Sequence, residues 1–238
     1  MITVFEKIDK TGLKERFVRE IQRKIFSGEL LPGEQLPPER ELAAQMGLSR
    51  SLVNVGILDL ESKGFVRIEP RHGTFVLDYR KHPTPQTLAA LMNYDPTKLD
   101  YPLFQSLMDT RRLVERECVR LSVARDRPDE YDGMRAALDN MRASDRDTAV
   151  DALFEFHYLL TQSSGNVVFP MIFKGFEPAL RRLMVLHLQQ QPLHEDYFLL
   201  HERLLSALEA QDAGSAEDLI MRILNTGISV LERPYKQA

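Results

Sequence analysis

Several things this chain lacks narrow its class before any motif is considered. It holds one cysteine, Cys118, in 238 residues, so no internal disulfide framework can form, and this scarcity fits a reducing cytoplasm. Cys118 itself reads as a small buried residue within a helix. No apolar run approaches the ~20 residues that a membrane-spanning helix needs. Met1-Ile2-Thr3 leads straight into a charged, amphipathic segment rather than a secretory leader. Six histidines are scattered along the chain, with no nucleophile–base–orienter set, no phosphate-binding glycine loop and no complete metal constellation. A hydrolase built on a helical bundle is therefore poorly supported. Internal repeats and low-complexity tracts are also missing.

What is present suits two ordinary packed domains. Hydrophobic residues make up 43% of the chain, and the length exceeds one typical domain of ~150 residues. Charge is unevenly placed: residues 1–82 carry 14 Lys and Arg against 12 Asp and Glu, and the rest carries 17 against 23. A mildly basic head on an acidic bulk suits a protein whose nucleic-acid contact is confined to one module. Residues 1–80 mix helical signals with two β-rich stretches. Residues 81–102 carry Pro83, Pro85, Pro96 and Pro102 around one short apolar helix, Thr87–Met92, and read as a linker. From residue 103 to 238 helical periodicity dominates. Breaks at Arg127-Pro128, Ser144–Asp147, Ser163–Asn166, Gln191-Pro192 and Gln211–Gly214 divide this region into six helices. The fold class expected is mostly α: an N-terminal winged helix-turn-helix and a C-terminal helical bundle.

The N-terminal module can be read residue by residue. Phe17, Ile21 and Ile25 recur at four-residue steps and predict a helix from Leu13 to Phe26, stopped by Ser27-Gly28. Pro38 is expected at the first position of a second helix ending at Met46, with Glu39 and Glu41 in its first turn and Gly47 after it. Ser49 then caps a third helix running to Lys63. Two short helices joined by a glycine turn form a helix-turn-helix. Phe65–Ile68 and Thr74–Leu77 follow as strands around the turn Glu69–Gly73 and make a wing. The third helix should enter the major groove by its N-terminal end, which places Ser49, Arg50 and Ser51 near phosphates and bases. Arg50 is the candidate for a bidentate guanine contact, worth ~1–3 kcal/mol of discrimination. Arg40 and the wing tip Arg71, His72 and Gly73 would meet backbone and minor groove.

The run Ser27-Gly-Glu-Leu-Leu-Pro-Gly-Glu-Gln-Leu-Pro-Pro-Glu-Arg-Glu-Leu-Ala-Ala-Gln-Met-Gly-Leu-Ser-Arg50, with the wing Arg71-His-Gly-Thr-Phe-Val76, resembles the signature of the GntR family of bacterial transcription regulators. The resemblance implies a homodimer on a short palindromic double-stranded operator. It places Arg40, Ser49, Arg50, Ser51, His72 and Gly73 at DNA-contact positions. One departure stands out: Asn54-Val55-Gly56 replaces the usual arginine-glutamate-alanine of the recognition helix. Asn54 either reads an adenine through two hydrogen bonds or marks weaker DNA binding; both readings stay open.

The second domain is similar to the FadR-type effector domain. The similarity rests on Arg111-Arg-Leu-Val-Glu115, Phe156-His157 followed by Ser164-Gly-Asn166, and His201–Ala210 with Asp212 after it. Many such domains hold a divalent metal (zinc, nickel or manganese) with an aspartate, a histidine four residues later and two further histidines. His157 and His201 fall on histidine positions of that set. Leu153 and Ile223 stand where the other two ligands are expected, Asp151 and Glu155 lie off the helix face of His157, and His194 sits near a helix start. Pocket or core roles for the two histidines are therefore preferred over a metal site.

The resemblance also implies an effector that is a small organic acid or an acyl-type metabolite, with Arg111, His157, Asn166 and His201 as the binding set. A guanidinium suits a carboxylate, although Arg111 could equally form a surface ion pair with Glu115. The aromatic set Phe154, Phe156, Tyr158, Phe169, Phe173 and Phe176 reads as pocket lining or as core. The reading is a ligand-responsive regulator, most simply a repressor. An effector-free DNA-binding protein would not need the ~135 helical residues that follow the head.

Overall fold

The computed structural model describes residues 12–94, 100–143, 146–191 and 194–236. The expectations for Met1-Ile2-Thr3, Pro96, Ser144-Asp145 and Pro192 lie outside these residues. The chain divides into two compact units, Met1–Leu91 and Met92–Ala238, so the boundary falls inside the stretch read as a linker. Among the described residues no helix is long and apolar enough to cross a membrane.

The first unit begins with α1, Leu13–Phe26, whose Phe17, Val18, Ile21, Ile25 and Phe26 are buried. Helix α2 spans Glu39–Met46. Pro38 is its N-cap rather than its first residue, because an extended ψ of 145° keeps it outside the helix. Gly47 then turns the chain with φ at +64°, a left-handed value that glycine adopts without steric cost. Helix α3 spans Arg50–Ser62, and the Ser49 hydroxyl caps it by accepting from the Leu52 amide at 3.3 Å.

Strands β1, Val66–Glu69, and β2, Gly73–Val76, pair antiparallel with Val66 opposite Val76 and Glu69 opposite Gly73. Each strand is displaced by one residue from the sequence reading. The tip therefore holds three residues, Pro70–His72, with Arg71 in the left-handed region at φ 67°. The core joins α1, α2 and α3 to Phe65, Val76 and Tyr79, with Phe26 edge-on to Phe65 and Tyr79. Helix α4, Pro85–Met92, starts earlier than expected. Thr84 and Thr87 exchange side-chain and backbone hydrogen bonds at its start and both donate to the Lys63 carbonyl.

Gly56 has a packing explanation. A Cβ there would lie 2.7 Å from Phe17 Cε1 and closer still to Cδ1; the buried Phe17 ring occupies the space a methyl group would need. Gly56→Ala should gain about 1 kcal/mol in helix propensity and lose about 1–3 kcal/mol to overpacking. We expect a lower thermal midpoint, recovered when Phe17→Leu is added. An alanine variant as stable as the parent would show that the ring moves freely.

The second unit is all helical. It comprises α5 (Tyr101–Arg125), a 3₁₀ turn at Pro128–Tyr131, α6 (Asp132–Ala143), α7 (Arg146–Ser163), α8 (Val168–Gly175), α9 (Glu177–Gln190), α10 (Glu195–Glu209), α11 (Ala213–Leu231) and the short α12 (Arg233–Lys236). The stretch expected as one helix from Asn166 to Gln191 is two, because Pro178 in the first turn of α9 cannot continue the hydrogen-bond ladder of α8. Helix α7 is central, packed by α5, α6, α8 and α9, and is buried around most of its circumference.

Helix α5 buries one face along most of its length. Phe104, Met108, Cys118, Val119 and Ser122 form the inner stripe, and Leu113 is 72% exposed. Glu115, considered from sequence only as the partner of a surface ion pair with Arg111, lies in the middle of that stripe and is completely buried. Successive 100° steps place Glu115 about 20° from Phe104 around the axis, so the inner face carries a charge among its apolar residues.

Candidate nucleic-acid interface and ligand cavity

In the first unit, the candidate DNA-contact residues gather on one end of the helix-turn-helix and at the wing tip. Arg40, Ser49, Arg50, Ser51, Asn54, Arg71 and His72 are exposed, and Gly73 is half-buried. Arg40, Arg50 and Arg71 have no hydrogen-bond or ion-pair partner among the described residues. Most other arginines of the chain are engaged, as Arg23 is with Glu20 and Arg67 with Glu69. Three exposed guanidinium groups without a counter-charge suit an anionic polymer.

Ser49 is within 3.2 Å of the Ser51 hydroxyl as well as capping α3. Asn54 donates through Nδ2 to Glu39 Oε1 at 2.9 Å, so α2 braces the exposed face of α3. At the wing, Gln35 Nε2 donates to the His72 carbonyl at 2.6 Å, and His72 Nδ1 lies 3.0 Å from the Pro70 carbonyl. Gly73 sits at φ +123°, and a Cβ on it would collide with the Gln35 amide. Glu39 was read from sequence only as a first-turn acid, and Gln35 was not singled out. Their contacts link positions 15 and 37 residues apart, beyond any local pattern.

In the second unit, Arg111, His157, His187 and Tyr197 supply the polar wall of a small cavity. Leu153, Leu183, Met184, Ile223, Leu224, Gly227 and Leu231 line the rest. Glu115 lies beneath it. Arg111 Nε donates to Glu115 Oε1 at 2.6 Å, and His157 Nδ1 lies 2.5 Å from Glu115 Oε2. Burial alone would raise the Glu115 pKa; His157 and Arg111 outweigh it and hold the carboxyl at about 2. An ionised carboxylate only accepts, so His157 Nδ1 carries the proton and donates. The two Nη atoms of Arg111 have no hydrogen-bond partner among the described residues.

His201 stands behind His157, edge-on to Phe156 at 4.9 Å between ring centres, and is not part of the cavity wall. Its Nδ1–H donates to the Tyr197 carbonyl at 2.8 Å. Burial first, then His157, pushes its pKa down to about 3, so the ring is neutral and Nε2 is a lone-pair acceptor with no partner among the described residues. His187 is also held neutral by burial, and its Nδ1 has no partner among the described residues. Asn166 lies elsewhere. Its Oδ1 accepts from the Val168 amide at 2.9 Å and its own amide donates to Ser164 Oγ at 3.2 Å, which organises the turn into α8. Cys118 is buried, and burial raises its thiol pKa to about 12, which leaves it inert.

The residues do not fit a divalent metal. Leu153 and Ile223, which replace two ligands of the expected set, both line the cavity and offer no donor atom. The two remaining imidazoles have ring centres 5.8 Å apart and planes at 84°. Among the described residues no group of three or more His, Cys, Asp or Glu is arranged to hold a metal ion. A second small cavity, lined by Leu107, Met108, Thr110, Val114, Ile172, Phe173, Phe176, Ala179 and Leu180, shares Arg111 and Leu183 with the first. Of the aromatic set, Phe173 and Phe176 line it, whereas Phe154 and Phe156 are core.

Residues 13–76 match the family described as bacterial regulatory proteins, gntR family, and residues 106–226 match the FCD domain. The chain is 25% identical over 230 residues to a putative L-lactate dehydrogenase operon regulatory protein of Escherichia coli strain K12, across 93% of this chain and 87% of that one. It is 24% identical over 226 residues to the HTH-type transcriptional regulator LutR of Bacillus subtilis strain 168, across 90% and 98%. Among solved structures, Lar, which controls the expression of the Listeria monocytogenes agr system and mediates virulence, superposes with a TM-score of 0.59 at 18% identity, covering 97% of this chain and 99% of that one. This likeness establishes the shared fold.

Proposed function

Since the chain belongs to the GntR family and carries an FCD domain, it is a DNA-binding transcriptional regulator rather than an enzyme, and we propose that it is a repressor released by a small carboxylate bound in its helical unit. One observation carries this reading. Arg111 uses Nε to pair with Glu115 and leaves both Nη atoms without partners at the wall of a cavity. The outer edge of a guanidinium is a fork that matches a carboxylate through two charge-assisted hydrogen bonds. His187 and His157 on the same wall suit a hydroxyl beside that carboxylate. The E. coli relative is named for an L-lactate dehydrogenase operon, which makes L-lactate the first probe. A longer acyl acid is the second reading, favoured by the apolar cavity that meets the polar one at Arg111 and Leu183.

The operator is double-stranded and palindromic and is bound by a homodimer, with Arg40, Ser49, Arg50, Ser51, Asn54, Arg71, His72 and Gly73 at the duplex. Release requires the ligand to bind the DNA-incompetent arrangement more tightly than the competent one. Calorimetric titration with L-lactate, other short 2-hydroxy acids and a medium-chain fatty acid, followed by operator binding with and without the acid, tests this. Arg111→Lys keeps the charge beside Glu115 but loses the fork. It should weaken the acid by about 10- to 100-fold and leave operator affinity without the acid unchanged. If the lysine variant bound the acid like the parent, Arg111 would not be its anchor.

A further inference from the structure

The exposed face of α3 carries a second message. Ser51, Asn54, Val55 and Leu58 are all exposed, Val55 at 50% and Leu58 at 49%. At 100° per residue the four positions share an arc of about 100° on one side of the helix. No charged residue stands among them; Arg50 lies at the helix start, and Asp59 is turned to Lys63 and Lys14. A groove-facing surface with a single arginine, one amide and branched aliphatic side chains is poorly equipped to read guanine at every step. Its chemistry suits adenine and thymine, whose major-groove edges offer an N6 donor beside an N7 acceptor and a C5 methyl.

The amide of Asn54 is not free to point either way. Its Nδ2 donates to Glu39 Oε1 at 2.9 Å. A flipped amide would set Oδ1 against the carboxylate, two acceptors face to face, so Glu39 fixes the polarity of the group. With one N–H engaged, Asn54 retains Oδ1 as acceptor and a second N–H as donor, the pair needed to match adenine N6–H and N7.

Resting on the DNA-binding reading above, we infer that Asn54, held in one orientation by Glu39, and Val55 beside it read two adjacent A·T pairs in each half-site: Asn54 takes an adenine edge and Val55 packs on a thymine methyl. Glu39 is a positioning residue: it acts through Asn54. Arg50, nearer the helix start, supplies the neighbouring guanine contact. The operator is thus A·T-containing at the positions where a regulator with arginine at residue 54 would read otherwise.

The test is selection of DNA by the full-length protein from a library of randomised inverted repeats, followed by base-analogue substitution in the selected site. Selected half-sites should place two adjacent A·T pairs beside a G·C pair. Replacing the contacted adenine by 7-deazaadenine, which lacks the N7 acceptor, should weaken binding by about 10-fold or more. Replacing the contacted thymine by deoxyuridine, which lacks only the methyl, should cost about four-fold. Val55→Ala should bind the thymine and deoxyuridine sites equally, and Glu39→Gln should lose base preference at the adenine position while still retaining DNA. Selected sites with G·C at these positions, or no penalty from either analogue with the unaltered protein, would overturn the inference and leave the regulator assignment standing. Failure to retain any duplex at low ionic strength would instead count against DNA binding by this surface altogether.

Discussion

Replacing Glu115 with alanine should cost the helical unit about 3–5 kcal/mol, the penalty of leaving a buried charge without its partner. Glu115 is fully buried and touches both Arg111 and His157. Truncation leaves a guanidinium and an imidazole facing each other with no anion between them, and opens a void as well. Glu115→Gln keeps the volume and some hydrogen bonding, so it should lose less than alanine. Urea titration followed by circular dichroism at 222 nm measures this, a suitable probe because the chain has no tryptophan. The same carboxyl sets an acid limit. Its folded pKa of about 2 lies below the ordinary 4.5, so its contribution is complete above about pH 4.5 and is lost as pH falls towards 2. An alanine variant within 1 kcal/mol of the parent at neutral pH would show that the buried pair contributes little over its desolvation cost.

The second large effect belongs to His201 and occupies a higher pH window. Its folded pKa of about 3 lies below the ordinary 6.5. Below pH 6.5 the unfolded chain takes up a proton that the folded ring refuses, so stability falls by up to about 1.4 kcal/mol per pH unit until pH 3 is reached. Between pH 6.5 and 4.5 this amounts to about 2 kcal/mol on the same principle, before most of the Glu115 contribution is lost. His201→Phe retains a ring against Phe156 and Tyr197 but has no proton to bind. Its stability should therefore stay flatter than the parent's over that interval, apart from the smaller contribution of His187, which is also held neutral by burial. Parallel pH profiles for parent and variant would mean that His201 does not resist protonation in the fold.

Much of the first unit was legible in the sequence because its signals are local. Phe17, Ile21 and Ile25 mark the buried side of α1, whose observed ends coincide with the expected Leu13 and Phe26. Ser49 caps α3 through its own hydroxyl three residues away. The wing was displaced by one residue because Arg71, a non-glycine residue, adopts the left-handed conformation at the tip, and residue type alone did not announce it. In the second unit the helical class was legible and the inner face of α5 was not. Packing buried a stripe that contains Glu115, which the sequence could place only as the partner of a surface ion pair. Asn166, which sequence grouped with the effector residues, is used in a turn, whereas His187 and Tyr197, with no pattern to mark them, stand in the cavity wall.

Sequence alone determined the helix-turn-helix with its wing, the helical class of the second unit and the absence of donors at residues 153 and 223, since periodicity, capping chemistry and residue identity act over a few positions. Tertiary structure decided which charges are buried together. Glu115 meets His157 across 42 residues of chain, and Asn54 meets Glu39 across 15. Such pairings depend on how helices dock, and the same low-dielectric packing that brings the groups together sets their protonation.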